Sequence, residues 1–284
     1  MEKKKTGDLP LARLLPASGL SGKDLAVRYC SSCHAFVSPE LLPKDSWKND
    51  VLPSMGHRLG MFDGDHQPDS LFEKGIGGSI VRKANIYPEK PTIAMEDWDK
   101  IKDYFVSNAP DTILPPKRKT KINMGLRHFK YRETTYSHRP PLTDMVKILP
   151  DNRGFVYSDA HRYNNLYIMT FLKPDLQKGY NLSFKSTPIH FYEKGDELFL
   201  TTIGDGFAPS NAPKGMLLKV TKDRGQGEYK TTKTLLTNLQ RPVFMAYSDF
   251  NNDGLEDILA CEYGDLTGKL VWFENNGNDQ YTMR

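Results

Sequence analysis

Polar and apolar positions along this chain follow two different rhythms. Up to about residue 112 the apolar side chains recur at helical spacing, in short stretches. Leu25, Ala26 and Tyr29 do so behind Ser21, a residue suited to an N-cap. Residues 44–52 read as a second helical stretch, with Pro53-Ser54-Met55-Gly56 after it. Trp98, Ile101 and Phe105 then share one face at i, i+3 and i+7. Glu96 and Asp97 stand in the first turn, where the helix dipole favours acids, and Asn108-Ala109-Pro110 ends the pattern.

From about residue 122 the rhythm changes to short β-rich runs. Leu166-Tyr167-Ile168-Met169, Leu217-Leu218-Lys219-Val220 and Leu270-Val271-Trp272-Phe273 recur about fifty residues apart, each after a turn-rich segment. Earlier in each unit stand Met145-Val146-Lys147-Ile148, Pro188-Ile189-His190-Phe191-Tyr192 and Pro242-Val243-Phe244-Met245-Ala246-Tyr247. Short strands at this period predict propeller blades, each a four-stranded sheet, with a β-sandwich as the alternative. Three units fall short of the roughly four that close a ring. The expectation is therefore an incomplete propeller, continued beyond Arg284 or completed by another chain.

A length of 284 residues fits two domains. The chain is 38% hydrophobic and 26% charged, an ordinary soluble composition. Its net charge of +4 is too mild to argue for nucleic acid, and no stretch is apolar for long enough to span a membrane. The proline-bearing, then basic, segment from Ala109 to Lys121 reads as an extended linker. Its cations either stay solvated or dock an acidic redox partner. The predicted parts are residues 18–114, a linker at 115–121, and residues 122–284.

Within the first part stands Cys30-Ser31-Ser32-Cys33-His34, the C-x-x-C-H signature of c-type haem attachment. Two thiols at this spacing form thioethers with the haem vinyl groups, and the adjoining imidazole reaches the iron. A zinc site would need four ligands, yet the one other cysteine, Cys261, lies far along the chain. A thioredoxin-like pair would need a βαβ setting, which the flanks lack. The sixth ligand is open among Met55, Met61 and Met95, with His57 and His66 as outsiders. Gly56, Gly60, Gly64, Gly75, Gly77 and Gly78 are expected to let the backbone turn around a flat cofactor.

Helix, C-x-x-C-H, ligand loop and aromatic closing helix together resemble a small class I cytochrome c. In that family a methionine placed like Met95, just before the closing helix, is the usual ligand. Trp47…Val51-Leu52-Pro53-Ser54-Met55-Gly56 is similar instead to the W-x3-V-L-P-x-M-G segment of cytochrome domains fused to propellers in environmental bacteria. That resemblance implies Met55 as the axial ligand opposite His34, with Cys30 and Cys33 holding covalent haem c.

The third β unit carries Asp249-Phe250-Asn251-Asn252-Asp253-Gly254-Leu255-Glu256-Asp257. Oxygen donors at positions 1, 3, 5 and 9, a backbone carbonyl at 7 and glycine at 6 describe a calcium loop. Position 12 is Ala260 rather than a bidentate glutamate, so this is not an EF-hand. The motif, with a strand after it, resembles the FG-GAP (VCBS) repeat of integrin-type propellers. One structural calcium is expected on Asp249, Asn251, Asp253, Leu255 and Asp257.

The expected fold class is thus multidomain, an N-terminal all-α cytochrome c fold followed by about three all-β propeller blades. The expected function is extracytoplasmic electron transfer through haem c, with the propeller binding a redox partner protein, a carbohydrate or another extracellular ligand. A haem-containing dehydrogenase acting on sugars or alcohols, or a calcium-dependent adhesion module, are the alternatives. Thioether attachment in the family resembled takes place outside the cytoplasmic membrane, which implies a periplasmic or cell-surface location. A signal or lipid-anchor segment is then expected to have been removed, since Met1-Glu2-Lys3-Lys4-Lys5 leads into no apolar stretch.

Overall fold

The structure, a computed structural model, describes residues 15–62, 67–113, 117–131, 140–150, 154–160, 165–169, 177–181, 186–204, 208–222 and 229–284. His66, Gly64 and the start of the expected linker at residue 115 lie outside these residues. The described chain divides into two compact units. One takes its residues from Met1–Phe72 and Asn85–Arg127, the other from Glu73–Ala84 and His128–Arg284.

The first unit is built on short helices. Helix α1 (Gly22–Cys30) is capped by Ser21, whose hydroxyl accepts from the Asp24 amide at 3.2 Å. It packs on α5 (Met95–Asn108), and Gly22 lets the two backbones meet, because a Cβ there would collide with the Lys100 carbonyl. Between them α2 (Lys44–Ser46) runs through a π-helical turn (Trp47–Val51) into α3 (Leu52–Arg58). Leu25, Ala26, Trp47, Leu52, Ile93, Trp98, Ile101 and Phe105 are buried together. Fully burying a side chain of this size contributes roughly 1.5–3 kcal/mol. Asp97, also buried, accepts from the Ser18 amide at 2.9 Å and fastens the incoming chain to α5.

The second unit holds three antiparallel four-stranded sheets, each following chain order. The first is β1 (Thr143–Leu149), β2 (Gly154–Asp159), β3 (Asn165–Met169) and β4 (Gln177–Asn181). The second is β5 (Pro188–Lys194), β6 (Glu197–Thr202), β7 (Gly215–Lys222) and β8 (Tyr229–Leu239). The third is β9 (Pro242–Ser248), β10 (Asp257–Tyr263), β11 (Gly268–Asn275) and β12 (Tyr281–Met283). The middle sheet is buried on both faces. Leu198, Leu200, Leu218 and Val220 pack with Met145, Leu149 and Val156 of the first sheet. Phe199 and Leu217, one position out of phase, pack with Met245, Ile258, Ala260, Val271 and Phe273 of the third.

This architecture corrects the expected fold class, an all-α cytochrome c fold followed by propeller blades. The described chain is mostly β, three separate antiparallel sheets with only short helices before and beside them. Helical periodicity marks individual turns, but Pro43 stands ahead of α2 and Gly60 follows α3, so among the described residues no single α-helical segment ahead of Met95 exceeds nine residues. The helical stretch is not self-contained either. Helix α4 (Ile76–Lys83) clusters with the sheets, not with the other helices. Glu73 explains the attachment: its Oε1 accepts from the Asn211 amide at 2.8 Å. Gly77 serves that contact rather than a turn around a cofactor, since a Cβ there would collide with the Glu73 carboxylate, and a Cβ on Gly78 would collide with the Glu73 backbone carbonyl. No helix among the described residues is long and apolar enough to cross a membrane.

Candidate functional site

Cys30 ends α1, and Cys33 and His34 follow in the turn beyond it. Both cysteines are free thiols. Burial pushes the Cys30 thiol above its ordinary value, and the neighbouring Cys33 adds to the effect. At neutral pH Cys30 is therefore held as the thiol. The His34 ring is exposed, and its Nδ1 lies 2.8 Å from the Ala35 carbonyl oxygen. A carbonyl only accepts, so Nδ1 is the donor in this contact and Nε2 is the nitrogen left for a metal.

These three residues share one apolar cavity of about 390 Å³ with Tyr29, Val37, Leu42, Trp47, Val51, Leu52, Met55, Arg58, Leu59, Trp98 and Phe105. The volume lies in the range of ligand sites, roughly 300–1,000 Å³. Trp47 and Phe105 are held by packing, and the Trp47 indole also donates to the Pro39 carbonyl at 2.8 Å. Met55 and Arg58, three residues apart on α3, present to the same cavity. Arg58 stands over the Tyr87 ring at 5.6 Å. Met61 and Met95 line a different cavity. Of the three methionines, then, Met55 is the one on the walls that carry His34, while Met61 and Met95 are not.

Comparison with protein-family models, with curated proteins and with solved structures finds no counterpart of this chain.

In the 249–257 loop the oxygen-bearing side chains turn onto the loop's own amides. Asp249 Oδ1 and Asn251 Oδ1 both accept from the Asp253 amide at 3.1 Å, and Asp249 Oδ2 accepts from Gly254 N at 2.9 Å. Asp253 Oδ1 accepts from Leu255 N at 2.8 Å. Gly254 has φ +87°, the left-handed conformation that glycine tolerates, and Asn252 has φ 60°. Asp257 stands apart from this group: fully buried at the start of β10, it accepts from Phe250 N at 3.1 Å and from Asn275 N at 2.8 Å. Among the described residues no three His, Cys, Asp or Glu side chains gather at metal-holding distance.

Arg58 is the cavity residue that sequence reasoning passed over. The signal was local, since position i+3 from Met55 on a helix faces the same way. Val37 and Leu42, in the irregular stretch before α2, carry no comparable signal.

Proposed function

We propose that the chain carries a covalently attached haem c and transfers electrons through it. The observation that supports this reading is the single apolar cavity with Cys30, Cys33, His34 and Met55 on its walls. The residues present fit the group. Cys30 and Cys33 are free to form the two thioethers, His34 has Nε2 free for the iron, and Met55 is the thioether that can complete the coordination. Arg58, the cationic side chain on these walls, would pair with the haem's carboxylates. When bound, the haem supplies a one-electron couple. The chain's own residues set its poise: the soft methionine donor favours ferrous iron, and Trp47, Trp98 and Phe105 exclude water.

Thioether attachment of this kind points to assembly outside the cytoplasmic membrane and to a redox protein as partner. We also propose a single structural calcium on the 249–257 loop. Asp249 and Asn251 already converge there on one amide, and each carboxylate oxygen retains acceptor capacity.

The deciding experiment is expression alongside a haem-ligation system, followed by a pyridine haemochrome spectrum. A c-type spectrum retained by denatured protein is expected, and Cys30→Ala with Cys33→Ala should lose it. Wild-type protein that folds without colour would overturn the reading.

A further inference from the structure

The first unit has a second cavity, of about 210 Å³, that the proposed haem site does not use. Its walls include His57, Met61, Phe62, Met95 and Trp98, and Leu52 and Trp98 are common to both cavities. Three of those residues present aromatic rings, and the His57 ring lies stacked on Phe62 with centroids 5.6 Å apart. Two bring thioethers, which make favourable contacts with the edges of aromatic rings. An engineered apolar cavity of about 150 Å³ takes up benzene, so this one has room for a single six-membered ring with a small substituent.

Charge narrows the class. Lys48 and Lys102 both line the cavity, and no acidic side chain does so among the described residues. Lys102 is held by Asp99 at 2.7 Å on the next turn of α5, whereas Lys48 has no ion-pair partner among the described residues. A cation beside aromatic walls favours an anion carrying a ring.

We propose that this cavity binds a monocyclic aromatic anion, of the benzoate or phenolate class. The ring lies among Phe62, Trp98, Met61 and Met95, and its charged substituent faces Lys48. The inference stands apart from haem attachment, because ligand binding here is read without any haem signal.

The test is isothermal titration calorimetry of the full chain with three probes. Benzoate has ring and charge, benzyl alcohol has the ring alone, and hexanoate has the charge alone. Saturable binding of benzoate at one site per chain is expected, with the other two probes at least about tenfold weaker. Lys48→Ala, at an exposed position, should weaken benzoate by about five- to tenfold and leave benzyl alcohol unchanged. Val106→Trp should fill the cavity and abolish binding while a cooperative thermal transition shows that the variant folds. If Val106→Trp does not fold, Lys48→Ala alone decides. Benzoate heats that never saturate, hexanoate binding as tightly as benzoate, or a benzoate affinity indifferent to Lys48→Ala would each overturn the proposal.

Discussion

Trp47 lies against Phe105 with ring centroids 4.3 Å apart, joining the π-helical turn to the closing helix and forming one wall of the larger cavity. Both side chains are nearly fully buried. Phe105→Ala should cost about 3–5 kcal/mol, through lost transfer energy and the space left behind. Trp47→Phe keeps a ring in place but leaves the Pro39 carbonyl without its donor, at about 1–3 kcal/mol. Urea denaturation midpoints, with unchanged slopes, provide the measurement. Equal losses for the two variants would show that the indole hydrogen bond matters as much as the packing.

The sixth-ligand proposal separates three methionines by the cavities they line. In haem-loaded protein Met55→Ala should erase the weak charge-transfer absorption of a thioether–iron bond and lower the reduction potential. Met61→Ala and Met95→Ala should leave that absorption in place, since both face the smaller cavity. An absorption lost in Met95→Ala and kept in Met55→Ala would transfer the role to Met95.

Asp257 and Asp253 should behave differently although both belong to one motif. Asp257→Ala strips two part-buried amides of their acceptor, at about 2–5 kcal/mol, whether or not calcium is present. Calcium at about 100 times its dissociation constant should add about 2.7 kcal/mol to wild type. Asp253→Ala should abolish that increment. Melting temperatures in calcium and in chelator read both effects, and a wild-type melt indifferent to chelator would reject the ion.

Two buried groups of the sheets should oppose one another as pH changes. Burial pushes the Asp144 carboxyl up to about 6, with the nearby Asp159 charge adding, although the Ser158 hydroxyl donates to it. The folded state therefore binds more protons than the unfolded one between about pH 4 and 6, and stability falls as pH rises through that window. Burial also lowers His190 to about 4, with the Lys147 charge adding, so its contribution falls as pH drops from about 6.5 to 4. The two slopes cancel over most of their shared range. Asp144→Asn keeps an acceptor for Ser158 and should expose the histidine slope, giving a protein that loses stability steadily below pH 6.5. A flat profile in that variant would show that His190 does not titrate in this range.

The chemistry-bearing residues were legible where covalent spacing dictates them. Cys30, Cys33 and His34 stand within five residues, and the structure brings all three to the walls of one cavity. The β rhythm was legible for a similar reason, and the three runs beginning at Leu166, Leu217 and Leu270 lie in the third strand of each sheet. Their packing was not. Whether Phe199 faces one neighbouring sheet while Leu198 and Leu200 face the other depends on which sheets flank it, and a strand apolar on both faces carries no sign of that. The allegiance of α4 was equally hidden. Gly77 reads as a flexible turn residue, while the group that requires it bare, the Glu73 carboxylate, is bound to an amide 138 residues further on.

That separation bears on the order in which the protein can mature. Glu73 leaves the ribosome long before Asn211 exists, so α4 has to wait through the synthesis of the first sheet and half of the second before it can dock. At the roughly 5–20 residues per second of translation, the delay is on the order of ten seconds. Throughout that interval Gly77, Gly78 and Val81, the residues of α4 that end up buried, lack their final neighbours. A fragment ended within the basic segment after residue 113 would never acquire them, and is the wrong unit to express as an isolated N-terminal domain.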